Sequence, residues 1–153
     1  MNTLNELKCT FPARSENESF ARTMVCAFAV QLDPTVEELA DLRTAVSEAV
    51  TNSIVHAYRN MQPGTITVTV RLLPDAVIYV RIADHGCGIA DIAQAMTPLY
   101  SSAPAEERAG LGFTVMQSFT DRLTVTSKPG RGTTVTMRKK LTHDADKDTG
   151  GCS

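Results

Sequence analysis

The chain has 153 residues and a formal net charge of −2, and its composition is 42% hydrophobic and 21% charged. These proportions indicate one globular domain with a substantial core, and they exclude a disordered or fibrous chain. The slight negative charge argues against a basic nucleic-acid-binding protein. The longest apolar run, residues 24–30, is far shorter than the roughly 20 residues of a membrane span. We therefore expect a cytoplasmic protein without a nucleic-acid or membrane partner.

The N-terminal third of the chain predicts one strand followed by one helix. Residues 4–11 alternate loosely between apolar and polar side chains, and Pro12 ends the strand. Ser15 and Glu18 have the spacing of a capping box, which predicts that a helix starts there and runs to about residue 30.

A second helix is predicted from the sequence that follows. Asp33 before Pro34 is typical of a helix start, with an N-cap acid and proline at the first helical position. Apolar residues at helical spacing extend this helix to about Tyr58. They are Leu39, Leu42, Val46, Val50 and Ile54.

The second half of the chain predicts two β-hairpins separated by a loop and a helix. Residues 65–73 and 76–83 are β-branched runs joined by a Pro-Asp turn. A third helix is predicted over residues 110–119, and a last hairpin over 123–127 and 133–141.

The element order β-α-α-β-β-loop-α-β-β predicts an α+β fold. We expect a mixed, mainly antiparallel sheet with helices on one face. A single domain is expected over residues 1–142, followed by a polar and disordered tail over 143–153.

Three local motifs carry candidate chemistry, and the first lies on the second helix. Glu48 and Asn52 are four residues apart and share one helix face, which His56 continues. The carboxylate can orient or deprotonate a hydroxyl group, and the amide oxygen suits Mg²⁺. The alternative is a solvated helix face with an ordinary side-chain hydrogen bond.

The second motif is D-x-G-x-G, formed by Asp84, Gly86 and Gly88 directly after a predicted strand. Glycines let the backbone turn sharply and approach a ligand closely, and Asp84 can accept a hydrogen bond from an exocyclic amine. The alternative is a plain turn that ends the strand.

The third motif is Gly110-Leu111-Gly112, which opens the third predicted helix. Free N–H groups at a helix start favour phosphate binding. The chain lacks both the Walker A and the Rossmann glycine pattern. The three motifs in this order predict a nucleotide site, with residues 91–109 as a lid that closes over it.

These motifs resemble the N, G1 and G2 boxes of the GHKL ATPase/kinase superfamily, which has the Bergerat-type ATP-binding fold. The resemblance is greatest to anti-sigma factor serine kinases, and among them to the sporulation anti-sigma factors of endospore-forming bacteria. It extends from about Leu7 to Leu141. The stretches that carry it are 17–22 (NESFAR), 31–35 (QLDPT), 46–56 (VSEAVTNSIVH), 88–91 (GIAD) and 107–116 (ERAGLGFTVM).

The resemblance implies a role for each matching residue. Glu48 would be the catalytic base for the acceptor hydroxyl, Asn52 the Mg²⁺ ligand, and Asp84 the residue that recognises the adenine amino group. The remaining positions implied to bind ATP are Gly86, Gly88, Gly110, Leu111, Gly112, Thr133 and Thr134. Arg108 would meet the terminal phosphate, and Arg22 would contact partner proteins.

The function implied by the resemblance is that of an anti-sigma factor and protein serine kinase. Such a protein binds and inhibits a sporulation sigma factor, and it uses Mg-ATP to phosphorylate a serine of a small anti-anti-sigma protein. A homodimer that presents two Arg22 residues to one partner is also implied.

Two alternatives remain open. A lysine typical of the lid in close relatives is Ala103 here, which favours a nucleotide-gated, sigma-sequestering module with little or no kinase activity. The other is a detached histidine-kinase catalytic domain, although the chain has no room for a phosphoacceptor helical hairpin.

Overall fold

The computed structural model describes residues 2–57, 64–86, 116–117, 120–128 and 130–141. In these ranges two helices pack on one face of a five-stranded sheet. The elements are β1 (Asn5–Pro12), α1 (Ser15–Ala29), α2 (Val36–Asn52), β2 (Thr65–Leu73), β3 (Val77–Asp84), β4 (Arg122–Lys128) and β5 (Gly132–Lys140). The α+β fold is therefore confirmed, and the five strands and α1 lie within one residue of their predicted bounds.

The described strands lie in the order β1-β2-β3-β5-β4, and each strand pairs antiparallel with its neighbours. The sheet that they form is thus antiparallel throughout, where the sequence predicted a mixed, mainly antiparallel one. The reason is that β2–β3 and β4–β5 are hairpins, and β5 then pairs antiparallel with the free edge of β3. This arrangement brings the end of β3 beside the start of β5.

The core lies between the helices and one face of the sheet. Alternate side chains of the interior strand β2, including Ile66, Val68 and Val70, are fully buried against Val25 of α1 and Val50 of α2. Burying one such side chain stabilises the fold by about 1.5–3 kcal/mol relative to an exposed position. This layer therefore fixes α2 against the middle of the sheet.

The sheet face opposite the helices is called the open face. On it, Thr69, Arg81 and Thr136 lie in one row across β2, β3 and β5. Side chains alternate between the two faces along each strand. The open face is consequently rich in threonine and arginine, whereas the helix-covered face is aliphatic.

The capping box of the structure lies at the start of α2. Thr35 Oγ1 accepts a hydrogen bond from the Glu38 backbone N–H, and the Glu38 carboxylate accepts one from the Thr35 N–H, both at 3.0 Å. The predicted capping box at Ser15 is wrong, because α1 begins without a side-chain cap. Its glutamate, Glu18, instead accepts a hydrogen bond from the Ser47 hydroxyl of α2.

The start of α2 is also later than predicted. A 3₁₀ turn over Val30–Leu32 follows α1, and Asp33 then adopts a left-handed conformation with φ of 57°. Asp33 therefore ends the preceding turn instead of capping α2.

At its other end, α2 continues into one π-helical turn, Ser53–Ala57, where the sequence predicted an uninterrupted α-helix. Such turns are rare and occur frequently at functional sites. Of the third predicted helix, residues 116–117 are described, and they are helical. The predicted lid, tail and domain boundary lie outside the described residues. Among the described helices, none combines the length and apolarity needed to cross a membrane.

Candidate functional site

Asp84 is the centre of the candidate site. It ends β3, and it is only 5% exposed. Its Oδ1 accepts hydrogen bonds from the backbone N–H groups of Gly86 at 2.9 Å and Thr133 at 3.1 Å, and its Oδ2 accepts one from the Ser53 hydroxyl at 3.0 Å. A carboxylate offers about four acceptor positions. Three of these acceptor positions on Asp84 are therefore occupied, and about one remains for a ligand.

The two threonines predicted to lie near adenine occupy different faces of the sheet. Thr133 is buried on the helix-covered face, where its backbone contacts Asp84 and its hydroxyl lies 2.8 Å from that of Ser127. Thr134 pairs with Ala83 in the next register position, so its side chain lies on the open face. The structure brings Thr133 to the site and leaves Thr134 on the other side of the sheet.

Gly132 is a site residue that the sequence analysis missed. A Cβ atom added there would lie 2.2 Å from the Asp84 carbonyl oxygen and 2.7 Å from the His85 Cα, and its φ is +115°. Only glycine fits both the close approach of the Asp84 backbone and the positive φ. Its one signal in the sequence is its position directly before Thr133, between the two strands of the last predicted hairpin.

Ser53 was also missed, although it directly follows the predicted ligand Asn52. It is 5% exposed at the junction between α2 and the π-helical turn, and it is the only side-chain donor to Asp84 among the described residues. Its hydroxyl links the end of α2 to the end of β3.

Asn52 is the last residue of α2, and both polar atoms of its side-chain amide are buried without a hydrogen-bond partner in the part of the chain that the structure describes. An unsatisfied buried polar group costs about 1–3 kcal/mol. Such an amide is suited to a ligand with oxygen-rich chemistry, because its oxygen can coordinate Mg²⁺ and its N–H₂ group can donate to phosphate. The residues present thus fit a magnesium nucleotide.

Glu48 lies one helical turn before Asn52 on the same face of α2, as predicted, and it is half-buried. It borders a cavity of about 340 Å³ between α1 and α2. The residues that line this cavity are Arg22, Ala40, Arg43, Thr44, Ser47 and Glu48. A molecule that entered the cavity would reach the Glu48 carboxylate.

Arg22 lies in the wall of the same cavity. Its guanidinium group is 3.7 Å from Glu18, and its Nε is buried without a hydrogen-bond partner among the residues described. Cys26 lies close by: burial raises the pKa of its thiol, and the charges of Arg43 and Arg22 partly offset that rise. Arg22 and Glu48 therefore face one cavity, which is separate from the contacts of Asp84.

The other predicted site residues lie outside the described residues. They are Gly88, Arg108, Gly110, Leu111 and Gly112. Gly86 is described, and its buried backbone N–H donates to Asp84.

An antiparallel sheet that holds a buried aspartate beside a helix-terminal asparagine defines a class of nucleotide-binding domain. The chain belongs to the family of histidine kinase-like ATPase domains, which matches residues 11–139.

Within this class, the chain is similar to proteins named anti-sigma F factor. It is 56% identical over 140 residues to that of Caldanaerobacter subterraneus subsp. tengcongensis, with 92% of this chain and 95% of the relative covered. The protein of this name from Thermoanaerobacter sp. (strain X514) is 52% identical over 144 residues, covering 94% and 99%. That of Geobacillus kaustophilus is 47% identical over 137 residues, covering 90% and 93%.

Solved structures agree on the fold. The crystal structure of the RsbU and RsbW domains of Rv1364c from Mycobacterium tuberculosis matches with a TM-score of 0.66 at 19% identity, covering 90% of this chain and 32% of that one. The histidine kinase domain of the blue-light activated histidine kinase from Erythrobacter litoralis EL346 matches with a TM-score of 0.58 at 17% identity, covering 89% and 64%.

Proposed function

We propose that this protein is an anti-sigma factor and an ATP-dependent protein serine kinase. It binds and inhibits a sporulation sigma factor, and it phosphorylates a serine of a small anti-anti-sigma protein. The observation that carries the nucleotide part is Asn52, a buried amide that has no partner among the described residues and adjoins Ser53, which donates to Asp84. The similarity to anti-sigma F factors over 90–94% of the chain supports the regulatory part.

The nucleotide is held by groups at the ends of α2 and β3. The remaining acceptor position of Asp84 receives a hydrogen bond from the amino group of adenine, and the backbone of Thr133 keeps the carboxylate in place. The Asn52 amide oxygen is the Mg²⁺ ligand. A Mg²⁺ ion held there would offset negative charge on the phosphate oxygens of ATP, which would supply the phosphoryl group.

Glu48 acts as the general base. A serine hydroxyl that enters the cavity between α1 and α2 reaches the Glu48 carboxylate, which accepts its proton. Arg22, in the wall of the same cavity, contacts the partner protein that presents this serine. Phosphoryl transfer depends mainly on positioning and electrostatics, so this small set of residues is enough for the reaction.

Two further features belong to the proposal. The protein forms a homodimer that presents two Arg22 residues to one sigma factor, and it is cytoplasmic. Sedimentation of the purified protein tests the dimer directly, because a monomeric mass at micromolar concentration contradicts it.

The kinase is tested with [γ-³²P]ATP, Mg²⁺ and a purified candidate anti-anti-sigma protein. We expect acid-stable label on a serine of that protein. Glu48→Gln should reduce transfer by about 10²–10⁴-fold but retain ADP binding, since it removes only the base. Asn52→Ala should lose Mg²⁺-dependent nucleotide binding and transfer together.

The control variant is Glu37→Gln, which removes an exposed carboxylate from the first turn of α2. It should leave both transfer and nucleotide binding unchanged. Retained transfer in Glu48→Gln would contradict the assignment of the base.

A second candidate function is a nucleotide-gated module that sequesters a sigma factor with little or no kinase activity. Ala103, at the position of a typical lid lysine, favours it. Tight ADP and sigma-factor binding without any label on the anti-anti-sigma protein would select this function over the kinase.

A further inference from the structure

One row of side chains crosses the whole open face. It takes one residue from each strand, and each is directly opposite the next: Glu6, Arg71, Tyr79, Arg138 and Arg122. At the β1 end the charges are matched, because the Glu6 carboxylate accepts a hydrogen bond from Arg71 Nε at 2.7 Å. At the β4 end two arginines face each other.

The arginine pair at the β4 end has no counter-charge among the described residues. In the described part of the chain, no carboxylate lies within ion-pair distance of Arg122 or Arg138. Like charges directly opposite on neighbouring strands destabilise a sheet. Arg71, in the same row, differs from this pair, because it forms a salt bridge with Glu6.

The pair is also held in place by its surroundings. The Arg138 guanidinium stacks on the Tyr79 ring at 5.5 Å from the centroid, and Arg71 stacks on the same ring at 5.1 Å. Such contacts fix the plane of a guanidinium group. Arg138 is therefore oriented before any ligand arrives.

Hydroxyl groups complete a cavity beside the two arginines. Thr124 and Thr136 are directly opposite each other on β4 and β5, two positions along from the arginine pair and on the same face. A cavity of about 270 Å³ lies over this region. It is lined by Tyr79, Arg122, Thr124, Thr136 and Arg138. The polar side chains of its wall are all hydrogen-bond donors, and two of them carry positive charge.

We propose that this cavity binds a phosphate oxyanion, either inorganic phosphate or a small phosphate ester from solution. The guanidinium groups of Arg122 and Arg138 bind its oxygens, and the hydroxyls of Thr124 and Thr136 donate to it. The site lies on the opposite sheet face from Asp84, so it is separate from the nucleotide site and does not rest on the proposed function.

The test is a titration of ¹⁵N-labelled protein with sodium phosphate, in which sodium chloride keeps the ionic strength constant. We expect saturable shifts in the backbone amide signals of residues 122–124 and 136–138. Arg122→Gln and Arg138→Gln should each weaken phosphate binding by about tenfold or more, because each removes a charge-assisted contact. The matched control is Arg14→Gln, which removes an exposed arginine paired with Glu16 and should leave the affinity unchanged.

Thermal unfolding at low salt gives an independent readout. Without phosphate, Arg122→Gln should be at least as stable as the wild type, since it relieves the like-charge contact. Phosphate should raise the midpoint of the wild type more than that of the variant.

Other occupants give different results. Sodium acetate in place of phosphate separates a general carboxylate site from a phosphate site, and equal shifts with acetate or chloride would overturn the proposal. Shifts confined to residues around Asp84 would also overturn it.

A second copy of the chain is the other possible occupant. If phosphate has no effect and Arg122→Gln dissociates a dimer in sedimentation, the cavity holds a carboxylate of that second copy, and the proposal fails.

Discussion

The Asp84 carboxylate receives three hydrogen bonds from three separate segments of the chain: the turn after β3, the start of β5 and the end of α2. Two of these donors are backbone N–H groups, which a side-chain substitution leaves in place. The third is the hydroxyl of Ser53, so the α2 side of the site depends on this one side chain.

Ser53→Ala should destabilise the fold by about 1–3 kcal/mol, because it removes a buried donor to a charged acceptor. It should also weaken ADP binding, since Asp84 loses the contact that orients its Oδ2. Urea unfolding and ADP titration measure the two effects. Thr44→Ala is the control, as that hydroxyl donates only to the Ala40 carbonyl of its own helix. Equal effects of the two substitutions would contradict the role of Ser53.

Gly132→Ala should cost about 3 kcal/mol or more, because the added Cβ would collide with the Asp84 backbone at a φ of +115°. Gly130→Ala provides the comparison, since its Cβ would meet no atom within 4 Å at a φ of +77°. That variant should cost only about 1 kcal/mol. Urea unfolding midpoints distinguish them, and similar losses would show that the collision is relieved by a small shift.

Among the elements, α2 carries both the candidate base and the candidate magnesium ligand, so the definition of its two ends matters for the site. At its start the Thr35–Glu38 capping box satisfies backbone N–H groups that would otherwise lack partners. At its end the π-helical turn begins at Ser53, directly after Asn52. The helix is therefore fixed at its start by a local motif and at its end by a contact to the sheet.

Thr35→Ala should lower the free energy of unfolding by about 1 kcal/mol, because it removes the N-cap of α2. Ser15→Ala, at the predicted but absent capping box, should change it by less than about 0.5 kcal/mol, since α1 has no side-chain cap. Chemical denaturation of the two variants checks which residue caps its helix. A larger loss of unfolding free energy from Ser15→Ala than from Thr35→Ala would contradict the assignment of the cap to Thr35.

The elements also show which features a sequence can predict. The strands β2 and β3 were predicted because β-branched residues alternate along them, and Glu48 and Asn52 because helical spacing is a local property. Ser15 and Thr35 both precede a glutamate by three residues, so local pattern alone did not decide between them. The contacts of Ser53 and Thr133 with Asp84 join residues 31 and 49 positions apart, and no local pattern reports such contacts.

At the scale of the molecule, the site joins the helical layer to the sheet. Asn52 and Ser53 come from the helical layer, while Asp84 and Thr133 come from neighbouring central strands. A ligand that contacts both layers stabilises their association, in addition to the contacts of the aliphatic core between them.

Mg-ADP should therefore raise the thermal unfolding midpoint. At a concentration 100 times its Kd, a ligand stabilises the native state by about 2.7 kcal/mol. For a chain of this length, that corresponds to a shift of roughly 5–10 °C. Asn52→Ala should abolish the shift, whereas the control Glu37→Gln should retain it. An unchanged shift in Asn52→Ala would place nucleotide binding elsewhere.

The stacking of Tyr79 between two guanidinium groups has a further, practical consequence. The chain contains no tryptophan and only three tyrosines, so tyrosine dominates its near-ultraviolet absorption and emission. One of these chromophores lies between Arg71 and Arg138, at the edge of the open-face cavity. The protein therefore carries a native chromophore at the edge of that cavity, so no label has to be attached there.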